Sequence, residues 1–310
     1  MPQFEDDVLK SNNGYTNLRL RFCRPDGAPR GIVQIAHGIA EHVERYDGFA
    51  EFLAEHGFLV VANDHLGHGK SIHDPSEQGY FAELGGWHLV VEDMRKVYNL
   101  IHEGNLGLPY FLFGHSMGSF LTRTYLIRFR DDLTGAILSG TGQTPRGLVT
   151  AGRRMAQAII SRHGGKYKSM ALNNMAFGKY NKGFDHPRTK YDWLSRDGAV
   201  ADQYIEDPLC GFVPTAGLFA DMMAGIAFNQ DTDNLGRMRK DLPVYFMSGD
   251  RDPVGADGKG VFQAYQSFLN AGMLDVTLKL YAAGRHEMLN ELNKEQVYQD
   301  ILWWIEGRMK

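Results

Sequence analysis

Six short apolar runs recur along the chain with helix-like stretches between them: Gly31–Ala36, Phe58–Ala62, Tyr110–Phe113, Ala136–Leu138, Val244–Met247 and Val276–Tyr281. FLVVA, YFLF and PVYFM are continuous, not alternating, and a strand is apolar on both faces only where helices cover both faces of its sheet. Repetition of strand and helix in this way is the pattern of a parallel sheet, so an α/β architecture is expected, with a mostly parallel central sheet flanked by helices. Helices are predicted over about 45–56, 87–103, 118–130, 260–271 and 292–308. Ahead of these, Tyr15 to Cys23 alternates and runs into Pro25, Asp26 and Gly27, which predicts an antiparallel hairpin at the sheet edge.

The rhythm breaks between 141 and 235. This stretch shows no clear buried strand, reads as mostly helical and carries five of the 13 methionines. It is expected to be a helical insertion between two parts of one core, residues 1–140 and 236–310. In its last helix Leu218, Phe219, Met222, Met223 and Ile226 share one face. That face either packs on the core or lines an apolar pocket, for which methionine's adaptable shape is suited.

Composition narrows the function classes. The chain has 33 Lys+Arg against 37 Asp+Glu, a formal charge of -4, with no basic run, so no nucleic-acid footprint is present. Its two cysteines, Cys23 and Cys210, are far apart and lack C-x-x-C spacing, which argues against a disulfide framework or a zinc site and for a reducing compartment. The first residues, MPQFEDDVLK, are polar and acidic where a secretory leader is basic and then apolar, and the longest apolar runs are too short to span a bilayer. A cytoplasmic protein is expected, without a transmembrane segment.

Gly114-His115-Ser116-Met117-Gly118 is a G-x-S-x-G that follows a predicted strand and precedes a predicted helix. In that context the sharp turn lifts the Ser116 oxygen clear of the sheet as a nucleophile, and flanking glycines are needed because a Cβ would clash. His115 is read as structural or pocket-lining. A serine hydroxyl needs a general base and a group that orients the base. The order Ser, acid, His places these after two late strands, at Ser248-Gly249-Asp250-Arg251-Asp252-Pro253-Val254 and Ala282-Ala283-Gly284-Arg285-His286. His286 is the only histidine after His186. Asp250 and Asp252 compete for the acid; Asp252 is favoured because it lies beyond the turn and Pro253 fixes its backbone. Met117 N–H and Ile39 N–H, the latter in the loop after the first parallel strand, are the expected oxyanion donors. His37 and His42 are read as loop supports and not metal ligands, and no metal or cofactor is expected.

These segments resemble the monoacylglycerol lipase and lysophospholipase group of α/β-hydrolases, within the serine aminopeptidase-like hydrolases. The resemblance rests on HGIAEHVERY (37–46), NDHLGHGKS (63–71), GHSMGS (114–119), SGDRDPV (248–254) and GRHEM (284–288), in order across 11–140 and 236–310. It implies the α/β-hydrolase fold with an inserted cap at 141–235, a Ser116-Asp252-His286 triad and an oxyanion hole from Ile39 and Met117. It also implies that Glu41 and Arg45 help bind glycerol hydroxyls beside the ester, although an ion pair bracing the loop would use the same residues. Ser119 stands where the group has glycine, and the group's G-x-x-D-x-x-V frame fits Gly249, Asp252 and Val254 with the valine one place early. The Asp64–Ser71 segment is read as scaffold.

The expected activity is hydrolysis of small-molecule acyl esters, monoacylglycerols or lysophospholipids first, without cofactor and with at most peripheral membrane contact through the cap. Two alternatives share the scaffold: a proline-type aminopeptidase, which needs an acidic group for the substrate's amino terminus, and a non-catalytic ligand receptor, which the complete Ser116, Asp252 and His286 set disfavours. Asp-nucleophile enzymes of this fold are disfavoured by Ser116.

Overall fold

The computed structural model describes residues 1–309. Eight strands form one sheet: β1 (Gln3–Lys10), β2 (Asn17–Arg24), β3 (Gly31–Ala36), β4 (Phe58–Asn63), β5 (Tyr110–His115), β6 (Gly135–Ser139), β7 (Val244–Gly249) and β8 (Val276–Tyr281). Their spatial order is β1-β2-β4-β3-β5-β6-β7-β8. All pairs from β4 to β8 are parallel, while β2 runs antiparallel to both β1 and β4.

The continuous apolar runs are explained by the layers. Along β3 and β5, Ile32, Tyr110 and Leu112 face a core closed by α2 (Gly86–Glu103), α3 (Met117–Arg128) and α9 (Lys259–Asn270). Their neighbours Val33, Ile35, Phe111 and Phe113 face a second core closed by α1 (Asp47–Glu55) and α10 (Lys294–Glu306). Each residue of these strands is therefore buried, whichever face it points to.

One expectation changes. The hairpin partner of β2 lies before it, not after Pro25-Asp26-Gly27: the chain turns at Ser11–Thr16, where Ser11 N–H donates to Thr16 O at 2.9 Å. The Pro25–Gly27 turn instead leads to β3, which is not a neighbour of β2. β1 is almost wholly exposed and carries charge, with Asp6 paired to Arg19 and Arg21 and Glu5 to Arg24 across the ladder. Charge of this kind guards an open edge against further pairing, and it also conceals the strand from a search for apolar alternation.

Between β6 and β7 lie α4 (Arg146–His163), α5 (Met170–Phe177), α6 (Gly198–Glu206), α7 (Ala216–Asn229) and the short α8 (Thr232–Gly236). Thr215 caps α7 by accepting from Leu218 N–H. This helix packs against α4 on one side and α3 and α2 on the other. Leu218 and Phe219 are buried in the main core.

Candidate active site

Ser116, between the end of β5 and the start of α3, has φ 51° and ψ -120°. A side chain adopts that region only at a cost, which the surroundings must hold in place. Ser116 N–H donates to Ser139 O at 2.9 Å, and Ser119 Oγ donates to Ser116 O at 2.6 Å. Ser119 thus braces the turn from inside α3. Gly118 permits the close approach of α3 to β3, since a Cβ there would fall on the Ala36 carbonyl, and one at Gly114 would fall on Thr122 and on the Gly118 carbonyl.

The loops after β7 and β8 bring Asp252 and His286 together. His286 Nδ1 lies 3.0 Å from each carboxylate oxygen of Asp252. The carboxylate also accepts from Ser248 Oγ and Val254 N–H, both at 2.9 Å. Burial by itself would raise the Asp252 pKa, but His286 and these donors hold it below the usual carboxylate value. Burial would likewise lower His286, and the charge and hydrogen bond of Asp252 outweigh it and raise the imidazole. Asp250 faces elsewhere: its N–H donates to Tyr281 O at 3.0 Å and its Oδ1 is buried without a partner.

With Nδ1 occupied, Nε2 is the nitrogen of His286 left for Ser116. The two residues are walls of one cavity of about 480 Å³, although no hydrogen bond joins them in this structure. Such bonds often tighten only when substrate is bound. Ile39 and Met117 line the same cavity. Met117 is the first residue of α3, so its N–H is one of the donors that a helix start leaves free, at the positive end of the helix dipole. Ile39 is followed by Ala40 at φ 55°, and the Ala40 carbonyl accepts from Tyr204 Oη at 2.8 Å and Gly211 N–H at 2.9 Å.

The remaining expected residues separate. Glu41 lines the cavity and accepts from Gly38 N–H at 2.5 Å and Tyr46 Oη at 2.8 Å. Burial raises its pKa against the opposing pull of Arg45. Arg45 is not among the lining side chains; it makes a two-pronged pair with Glu287 at 2.7 and 2.6 Å and a single contact to Glu41 at 3.3 Å. The geometry of Arg45 is that of a loop brace. His115 lines the cavity, its ring 4.6 Å from that of His286, and burial lowers its pKa to about 3. His37 sits wholly below the site, linking Gly38 O and His65 N–H through its two nitrogens. Asp64 accepts from Val43 N–H and Lys70 N–H, so its segment supports the same loop.

Sequence reasoning passed over Glu287, Ser248, Tyr204 and Trp193. Trp193 O accepts from His286 N–H at 3.4 Å and its ring stands 5.0 Å from the imidazole, while Leu194 O accepts from Glu287 N–H at 2.7 Å. Only Glu287 had a signal, as the neighbour of His286.

Strand ends, the sharp serine turn and the buried His–Asp pair are those of the α/β-hydrolase fold, and the relatives that follow make the chain a carboxylic ester hydrolase. The chain belongs to the hydrolase family described as "Serine aminopeptidase, S33", whose model matches residues 27–293. It is 29% identical over 286 residues to a monoacylglycerol lipase of Mycolicibacterium smegmatis, covering 91% of this chain and 90% of the relative. It is 28% identical over 295 residues to the human monoglyceride lipase, covering 94% and 87%. A thermostable carboxyl esterase of Bacillus coagulans, solved in complex with glycerol, superposes with a TM-score of 0.92 at 29% identity over 99% of each chain.

Proposed function

We propose that this protein hydrolyses esters of a single long acyl chain, monoacylglycerols foremost and lysophospholipids as related substrates, with Ser116 as nucleophile, His286 as base and Asp252 as the group that orients it. The observation that carries this reading is that Ser116 and His286 open on a cavity whose other walls are largely apolar and come from 141–235, read here as a substrate-selecting cap. Phe219, Met222, Met223 and Ile226 of α7 line it, and Leu148 and Met175, which also line it, are 64% and 49% exposed and mark its mouth. An apolar mouth admits a chain from a lipid surface by peripheral contact. Among the described residues no helix is long and apolar enough to cross a membrane. Both cysteines are free and buried, which fits a cytoplasmic setting.

In this mechanism Ser116 Oγ attacks the ester carbonyl carbon while His286 Nε2 takes its proton. The carbonyl oxygen, now negative, meets Ile39 and Met117 N–H. Collapse expels the alcohol, which takes the proton from His286 and leaves an acyl-Ser116. Water attacks in turn, passing a proton to His286; the fatty acid leaves and Ser116 regains its hydrogen.

An aminopeptidase would need a free carboxylate for the substrate's amino terminus. The carboxylates lining the cavity are Glu41 and Glu287, and both are engaged with Arg45. The test compares mono-oleoylglycerol, a lysophosphatidylcholine, triolein and a proline p-nitroanilide. Mono-oleoylglycerol should exceed triolein by at least about tenfold in kcat/KM, with the anilide uncleaved. Preference for the anilide would replace this reading with the peptidase.

A further inference from the structure

Where the Ile39 loop meets the cap, three ligand-bearing side chains converge. His42 closes the loop, and Asp207 and Cys210 lie on the turn after α6. One ligand atom of each lies within 4.8 Å of the other two, and His42 Nε2 is 2.7 Å from Asp207 Oδ2. Bond lengths of roughly 2.0–2.3 Å to zinc place tetrahedral ligand atoms about 3.3–3.8 Å apart, so an entering ion would replace the His42–Asp207 hydrogen bond, parting those two atoms by roughly 0.6–1 Å, while any wider pair draws in.

The frame around them is fixed by hydrogen bonds. Cys210 N–H donates to Asp207 O at 3.0 Å, Leu209 N–H to Asp207 Oδ1 at 2.8 Å, and Gly211 N–H to Ala40 O at 2.9 Å. His42 is 3% exposed and its Nδ1 is buried with no partner. That nitrogen can hold the ring's proton when Nε2 binds an ion. The Asp207 side chain is 30% exposed and leaves a way in from solvent.

We propose that His42 Nε2, an Asp207 oxygen and Cys210 Sγ form a binding site for a thiophilic divalent cation, Zn²⁺ by its ligand set, with the fourth position taken by water. Binding displaces the thiol proton of Cys210 to solvent and moves the His42 proton from Nε2 to Nδ1. The ion takes no part in ester cleavage; it ties the cap to the loop that carries Ile39. Sequence spacing conceals such a site, because His42 and Asp207 are 165 residues apart.

Cd²⁺ serves as the spectroscopic probe. Titration of the full chain should produce a thiolate-to-cadmium absorption that saturates at one equivalent in the wild type and in Cys23→Ser, and that Zn²⁺ competes away. Zn²⁺ should also raise the melting temperature, since it binds the folded form. Cys210→Ser should abolish the absorption. Asp207→Asn and His42→Gln should each weaken binding by more than the roughly tenfold that loss of an outer-shell partner costs. Absorption that persists in Cys210→Ser, or affinity unchanged in Asp207→Asn, would overturn the proposal; Asp207 is partly exposed, so that variant reports even if His42→Gln fails to fold.

Discussion

At Ser116 the backbone conformation that exposes the hydroxyl is one that glycine adopts more easily than any residue with a Cβ. Its side chain makes no capping bond to α3, so removing it loses chemistry and little structure. Ser116→Ala should lower kcat by several orders of magnitude and leave the fold intact. Ser116→Gly should be equally inactive yet more stable than Ser116→Ala, by about 1 kcal/mol, because it alone relieves the strain. Paired thermal melts check this; alanine as the more stable of the two would remove the strain argument. The acid is decided by the same kind of comparison. Asp252→Asn should cost roughly 10⁴-fold in kcat through the wrong His286 tautomer, whereas Asp250→Asn should cost less than about tenfold. In the proposed mechanism His286 works as the free base, and its pKa is raised above the ordinary 6.5. Activity should therefore rise with pH along a limb centred above that value, and a limb centred below it in the kcat/KM profile would contradict the Asp252 pairing. The G-x-S-x-G and the two late loops make the placement of Ser116, Asp252 and His286 at strand ends legible in the sequence, since each follows an apolar run. Tyr204 and Trp193 were not legible, because their contacts with Ala40 and His286 join segments that no local pattern links.

Elements show the same division. β3 to β7 are signalled by burial on both faces, whereas the edge strand β8 is mostly half-buried and β1 is charged and exposed and gives no apolar signal. The sequence leaves the α7 face open between core packing and pocket lining, and its residues do both: Leu218 is core, and Phe219, Met222, Met223 and Ile226 belong to core and pocket wall alike. Elsewhere on α7, the Asp221 carboxylate lies against the start of α2, beside Gly86, where the backbone N–H groups of Gly86 and Trp87 favour its charged form. Burial raises its pKa to about 7 from 3.8 despite those donors. The folded protein thus holds a proton there that the unfolded chain releases near pH 4, and stability from this group falls as pH rises from about 4 to about 7, then levels. Asp221→Asn should flatten that part of the curve; a melting temperature with the same pH slope in both proteins would show that Asp221 stays ionised.

For the whole molecule, the parallel sheet delivers loops from three strand ends to one place, and the helices at 146–236 close an apolar chamber over them. Ligands of open α/β sheets bind beyond the carboxyl ends of the strands, which is where Ser116, Asp252 and His286 lie. The proposed preference for one acyl chain over a three-chain glyceride rests on the size of this chamber, about 480 Å³. Chain length preference follows from its depth, so Met223→Trp, which fills the wall contributed by α7, should shift preference toward shorter p-nitrophenyl esters; an unchanged chain-length profile would remove Met223 from the acyl path. The helical stretch between β6 and β7 is readable as a break in strand rhythm at 141, but the chamber itself is not, because its walls combine α4, α5 and α7 with the Ile39 loop.

The central claim is that Ser116 is acylated with His286 as its base. Reaction with a fluorophosphonate, followed by mass spectrometry of the digested protein, reads this directly. The account predicts one adduct per chain, located on Ser116 and formed far more slowly in His286→Ala; no adduct, or an adduct on another residue formed at the same rate in both proteins, would contradict it.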